Sequence, residues 1–121
     1  MKRLTSQRAL ILNYLKKTKT HPSAEEVYQQ VKKQLPQISL ATVYRNLGLL
    51  KNKGQLQEVI AESIHYDADT KPHAHFICQK CHRIYDLYDR CYLLKHKKTK
   101  VGQINQSQIY LYGQCHKCQR Q

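Results

Sequence analysis

The chain has 121 residues, with 21 lysines and arginines against 8 acidic residues, giving a formal net charge of +13 before seven histidines are counted. That length allows one domain or two very small ones, and small domains bury so little surface that two would need a staple or a partner subunit. The longest purely apolar run, Ala9-Leu10-Ile11-Leu12, is far too short for a membrane span or a signal-peptide core, which predicts a cytoplasmic protein. The charge favours a polyanionic partner, and nucleic acid leads over membrane because no basic amphipathic helix carries exposed large apolar residues.

The first half reads as three helices. Thr5 can cap a segment running to about Lys17, with Ile11, Leu12 and Leu15 as its buried stripe. Ser23 and Glu26 then form a capping box behind the breaker Pro22, opening a helix that places Ala24, Val27, Tyr28, Val31 and Leu35 on one face until Pro36 closes it. Ser39 caps a third helix, with Leu40, Val43, Leu47 and Leu50 facing inward and Thr42, Tyr44, Arg45, Asn46 and Lys51 facing outward. It ends near Gly54. Beyond Gly54 the period shifts to two: Leu56, Glu58 and Ile60 alternate with Gln55, Gln57 and Val59, and residues 63–66 form a returning strand. Three short helices and a hairpin are the layout of a winged helix-turn-helix, whose third helix would read the major groove.

From about Asp67 the composition changes to cysteine- and histidine-rich. This places a domain boundary between residues 1–66 and 67–121. Candidate strands cover 75–78, 83–88 and 108–112, and a short, very basic segment at 93–100 could be a helix. The fold class expected is therefore α+β, an N-terminal winged helix-turn-helix followed by a small zinc-stapled domain.

Five cysteines without a secretory signal argue for metal or redox chemistry rather than disulfides. Cys78-Gln79-Lys80-Cys81 and Cys115-His116-Lys117-Cys118 are two Cys-x-x-Cys knuckles, and four thiolates complete a closed tetrahedral structural Zn2+ site. Such a site leaves no open position for a substrate, so its work is folding. Cys91 is left over, and a partly buried free thiol is its default.

A second constellation is built from nitrogen and oxygen donors. His73 and His75 are two apart, so on a strand their rings share a face. If the first Cys-x-x-Cys segment turns the chain back through Gln79 to His82, His75 falls opposite Asp86, while Cys78 points to the other face. Asp67 lies close enough upstream to fold back through Pro72. Two imidazoles and two carboxylates suit divalent iron, manganese or zinc. The same donors could serve a hydrolytic centre, but no separate general base accompanies them. A zinc-ribbon RNA-binding module would leave Asp67 and Asp86 without a role.

Taken together, these residues resemble the ferric uptake regulator family over almost the whole chain. The resemblance is carried by Arg3-Leu4-Thr5-Ser6-Gln7-Arg8, by His21-Pro22-Ser23-Ala24-Glu25-Glu26-Val27-Tyr28 and by Ala41-Thr42-Val43-Tyr44-Arg45-Asn46-Leu47. It continues through His73-x-His75, both cysteine pairs and Tyr110-Leu111-Tyr112-Gly113. It implies a DNA-binding winged-helix domain, an α/β dimerisation domain with a four-cysteine zinc site, and a regulatory metal between them. The implied regulatory ligands are His21, Asp67, His73, His75 and Asp86, and the implied zinc ligands are Cys78, Cys81, Cys115 and Cys118. His21 enters through the resemblance alone. The family's usual extra helix before the Arg3 to Arg8 motif is absent from the sequence, and the stretch between Asp86 and Cys115 is short and basic.

The carboxylates point to a subgroup. Iron-responsive members tend to carry glutamates where this chain has Asp67 and Asp86, whereas the peroxide-responsive regulators carry aspartates at both. The resemblance thus implies a non-enzymatic repressor. It would bind an inverted-repeat DNA duplex as a homodimer and respond to peroxide when ferrous iron promotes oxidation of His21 or His73. Fe2+ or Mn2+ would be the regulatory ion. The alternative within the family is an iron- or manganese-uptake regulator without peroxide sensing. Tyr44 and Arg45 are the expected base readers, with Thr42, Arg8 and Lys51 on phosphates.

Overall fold

The structure, a computed structural model, describes residues 2–88 and 98–120, with side chains from Ser6 onward. It divides into two compact units, Met1–Thr70 and Lys71–Gln121.

The first unit consists of α1 (Lys2–Lys17), α2 (Ala24–Val31) and α3 (Leu40–Asn52), followed by an antiparallel hairpin of β1 (Gln57–Ile60) and β2 (Ile64–Asp67). This is the winged helix-turn-helix that the periodicity predicts. Apolar residues at helical spacing converge on one core, where Ile11, Val27, Val43 and Leu47 are wholly buried. Burying each such side chain contributes about 1.5–3 kcal/mol. Leu12, Tyr28 and Leu35 pack around its edge. Ser23 and Glu26 form the expected reciprocal capping box at the start of α2, and the Ser39 side chain accepts from the Thr42 N–H at the start of α3. At the other end of α3, Gly54 takes φ 74°. The Gly54 N–H donates to Lys51 O (2.9 Å) and the Gln55 N–H to Leu50 O (3.0 Å), a Schellman closure that a Cβ at position 54 would strain.

Three local expectations are corrected. Helix α1 begins at Lys2 rather than after a cap at Thr5, because Lys2, Arg3 and Leu4 are good helix formers with no breaker among them. Helix α2 ends at Val31 rather than near Pro36. There the Lys33 and Gln34 N–H groups turn back to Gln30 O and Val31 O, and Pro36 disfavours helical backbone at Leu35. Asn46, expected on the outward face of α3, is buried at 2 % exposure. It stands three residues after Val43 and four before Leu50, so helical geometry puts it on the buried stripe whatever its polarity. Among the described residues its Nδ2 finds no hydrogen-bond partner, an omission that costs about 1–3 kcal/mol at a buried amide.

The second unit is a three-stranded sheet in the order β4-β3-β5. Strand β3 (Ala74–Cys78) lies at its centre, β4 (Ile84–Leu87) pairs with it antiparallel and β5 (Tyr110–Gly113) parallel. A single-turn helix, α4 (His116–Gln119), follows. A Cβ at Gly113 would lie 3.0 Å from the tip of the Phe76 ring, so a larger residue there requires that ring to shift by a few tenths of an ångström. The expected strands are present with shifted ends. Of the basic segment 93–100, residues 93–97 lie outside the described residues, as does Cys91. Its end is not helical: Lys98 bridges to Gln103, and the Thr99 N–H donates to Gly102 O at 2.8 Å.

Candidate metal centres and nucleic-acid interface

The cysteine cluster is built by two tight turns. At the end of β3 the chain reverses through Cys78 to Arg83, with the His82 N–H donating to Cys78 O (2.9 Å), His82 at φ 65° and the Cys78 N–H closing on Arg83 O (3.0 Å). After β5, Cys115 caps α4 and Cys118 lies one turn on. The four Sγ atoms all fall within 4.8 Å of one another. Cys78 Sγ is 3.6 Å from Cys118 Sγ, and Cys81 Sγ is 3.8 Å from Cys115 Sγ. A tetrahedron of zinc–sulfur bonds about 2.3 Å long has edges of about 3.8 Å, so the residues fit a structural zinc ion.

Backbone amides prepare the cluster for a cation. The Cys81 and Cys115 N–H groups both point at Cys78 Sγ from 3.4 Å. Those donors, Cys115 first, pull the Cys78 thiol down to about 5. Burial, and then the neighbouring thiols, push Cys118 up to about 12. Four thiolates cannot share this volume without a positive ion. Three of the four cysteines are buried, and Phe76 and Tyr85 pack against them.

The nitrogen and oxygen donors form one group in each unit. In the first, His21 and Asp67 are both buried, and His21 Nε2 lies 3.3 Å from Asp67 Oδ2. In the second, counting back through the cysteine turn places His75 opposite Asp86, and that is the observed register. Asp86 Oδ1 lies 3.0 Å from His73 Nε2 and 3.3 Å from His75 Nε2. Cys78 falls on the opposite face of β3, which separates the two kinds of donor. Adjacent donors about 2.0–2.2 Å from one divalent ion stand about 3 Å apart. Each group therefore has the spacing and the mixed N/O chemistry of a partial coordination sphere for iron or manganese. Around the second group, the Tyr88 ring lies 4.8 Å from that of His73 at a 31° tilt, and His73 Nδ1 bonds to Lys71 O at 2.6 Å. Tyr110 flanks His75 from β5.

His21 carried no signal in the residue pattern because it precedes a capping box and looks like loop. Its backbone is strained: φ is +54°, a left-handed conformation that costs a non-glycine residue on the order of 1–3 kcal/mol. His65, which carries no signal beyond that of an ordinary strand residue, bonds through Nδ1 to His21 O at 2.6 Å.

On α3, Arg45 is exposed and Tyr44 is 46 % exposed, so neither belongs to the core. The Tyr44 hydroxyl donates to Glu25 Oε1 at 2.6 Å. That bond holds the Glu25 carboxyl below its ordinary range and the Tyr44 phenol above its own. Lys51 is paired with Glu58 of β1 at 2.9 Å. Thr42 Oγ1 shares a hydrogen bond with Ser39 Oγ, and Arg8 is half-buried on α1.

A winged helix-turn-helix joined to a small α/β unit with a four-thiolate cluster defines a metal-stabilised regulator of the helix-turn-helix class. The chain belongs to the ferric uptake regulator family, whose model matches residues 2–112. The family consists of dimeric, DNA-binding regulators rather than enzymes. The chain is 34% identical to the peroxide-responsive repressor PerR of Staphylococcus epidermidis, over 98% of this chain and 83% of that protein. It is also 34% identical to the Staphylococcus aureus repressor of the same name, over 97% and 82%. Among solved structures it superposes on the Campylobacter jejuni peroxide stress regulator with a TM-score of 0.84 and 34% identity, covering 96% of this chain and 91% of that one. The Helicobacter pylori ferric uptake regulator shares the fold, with a TM-score of 0.77 and 22% identity over 94% of this chain and 80% of that one.

Proposed function

We propose that this chain is a metal-dependent transcriptional repressor that senses peroxide through oxidation of a histidine ligand to its regulatory ion. The observation that carries the proposal is the donor set. Aspartates, not glutamates, stand beside the histidines in both units, Asp67 at His21 and Asp86 at His73 and His75. The names of relatives at 34% identity over nearly the whole chain support the same reading.

Cys78, Cys81, Cys115 and Cys118 hold a structural zinc ion. His21 and Asp67 from the first unit and His73, His75 and Asp86 from the second take the regulatory Fe2+ or Mn2+. An ion ligated by all five residues would act as a clip, favouring arrangements that bring them together over arrangements that separate them. In a homodimer so held, two α3 helices about one helical turn apart would match an inverted-repeat operator in double-stranded DNA. Tyr44 and Arg45 then face base edges, while Thr42, Arg8 and Lys51 serve phosphates. Ferrous iron held by these residues would supply the redox chemistry by which hydrogen peroxide transfers one oxygen atom to a ligand imidazole and leaves as water. His21 or His73, once oxidised, no longer binds as an imidazole does, so the clip opens and DNA is released. No helix among the described residues is long and apolar enough to cross a membrane, and the place of action proposed is the cytoplasm.

Mass spectrometry of the iron-loaded protein after peroxide tests this directly. The peptide carrying His21 or His73 is expected to gain the mass of one oxygen atom, and the manganese-loaded protein to stay unchanged. Iron-loaded chains that release metal without that gain would return the protein to the iron- or manganese-uptake regulators.

A further inference from the structure

We infer that His65 is a positioning residue for the regulatory metal, holding the ligand His21 in place through the main chain. The inference rests on the reading of His21 as a ligand. Both ring nitrogens of His65 are engaged. Nδ1 lies 2.6 Å from His21 O and Nε2 lies 3.2 Å from Ser63 Oγ. A carbonyl oxygen can only accept, so Nδ1 carries a proton and donates to it, while Nε2 shares a hydrogen bond with the Ser63 hydroxyl. With both nitrogens used in this way, His65 acts on the metal through His21 and not as a ligand itself.

The geometry gives this bond a specific task. His21 sits at φ +54°, a conformation a histidine holds only when its surroundings enforce it. Two neighbouring contacts enforce it from one side. His65 holds the His21 carbonyl, and the Tyr66 N–H donates to Pro22 O at 3.0 Å as part of the backbone bridge between Ser23 and His65. Both come from β2, the strand that ends on Asp67. The loop bearing one ligand is thereby stitched to the strand bearing another, and His21 Nε2 arrives 3.3 Å from Asp67 Oδ2. Of these links only the His65 bond depends on a side chain, since any non-proline residue at position 66 supplies the N–H. His65 therefore sets how much of the His21–Asp67 geometry exists before the ion arrives. Outer-sphere partners of metal ligands carry affinity in this way.

Three variants of the zinc-loaded full chain test the inference, with Mn2+ binding followed by titration calorimetry and the unfolding midpoint measured before manganese is added. H65F keeps the ring volume and loses both nitrogens. H65N keeps a donor at the δ position, and H21A removes the ligand itself. H65F is expected to weaken Mn2+ binding about tenfold or more at unchanged zinc content. H65N should restore most of that loss, and H21A should lose more than H65F. Wild-type Mn2+ affinity in H65F alongside a loss in H21A would overturn the inference and leave the site standing. Unchanged affinity in H21A would sink the ligand assignment instead. If H65N binds as weakly as H65F, the donor is not the means and the inference fails. Should H65F not fold, H65N alone decides: near wild-type binding supports the inference, and a tenfold loss overturns it.

Discussion

The two units reach stability by different routes. The first buries aliphatic side chains from three helices and a hairpin, with Ile11, Val27, Val43 and Leu47 at its centre. The second packs Phe76 and Tyr85 against cysteine sulfur. Burial of hydrocarbon is non-directional and distributed, so the first unit loses stability in increments as contacts are removed. A thiolate cluster concentrates stabilisation in four bonds to one ion, so the second unit should lose it all at once. The sharpest way to break the comparison is to take the zinc away. Chelation, or Cys78→Ser, should cost the second unit on the order of 10 kcal/mol and unfold it. The far-ultraviolet helical signal should largely survive, since α1, α2 and α3 all belong to the first unit. Sedimentation should show dimer lost in the same step. Helix and dimer melting together as zinc leaves would mean that the first unit borrows its stability from the second.

A smaller perturbation separates the units by activity. Arg45→Ala should weaken binding to a specific operator by about 1–3 kcal/mol and relax the preference at one base pair. It should leave zinc content and Mn2+ affinity as they were. Lys51→Ala should weaken all duplexes alike and flatten the salt dependence, because a phosphate contact carries no sequence. Its effect is the smaller because Lys51 is already engaged by Glu58 at 2.9 Å and must share itself with the DNA. Fluorescence anisotropy on operator and scrambled duplexes checks both. An Arg45→Ala protein that loses equally on both sequences would move Arg45 to the phosphates.

The same contrast explains what could be read in advance. Elements of the first unit were legible because apolar spacing, the Ser23–Glu26 capping box, the Ser39 cap and Gly54 are local and act through the backbone. The four-cysteine cluster was legible because Cys-x-x-Cys spacing is itself its geometry, and the His75–Asp86 register followed from counting through that turn. Asn46 misled because polarity was read as exposure, whereas its place three residues after Val43 fixed its burial. His21 and His65 were illegible for a different reason. A left-handed residue before a helix cap leaves no periodic trace, and the bond from His65 crosses more than forty residues of chain to a carbonyl that every residue possesses.

The faintest test concerns the hydrogen bond from Tyr44 to Glu25, which links α3 to α2 at the surface. Glu25 is held below its ordinary value of 4.5 by that bond. Its contribution to stability is therefore complete above the unfolded value and disappears as pH falls through the folded one. Tyr44 is raised above its ordinary value of 10.0 by the same bond. Its contribution is complete below that value and disappears as pH rises through the shifted one. The difference in unfolding midpoint between the wild-type protein and Y44F should accordingly form a plateau from about pH 5 to about pH 9 and shrink on both sides. Both side chains are exposed, which keeps the plateau low. The acid limb must be followed through the helical signal of the first unit, because protons also displace zinc from the thiolates of the second. A midpoint difference that stays level into strong acid would show that the Glu25 carboxylate does not hold Tyr44 in solution.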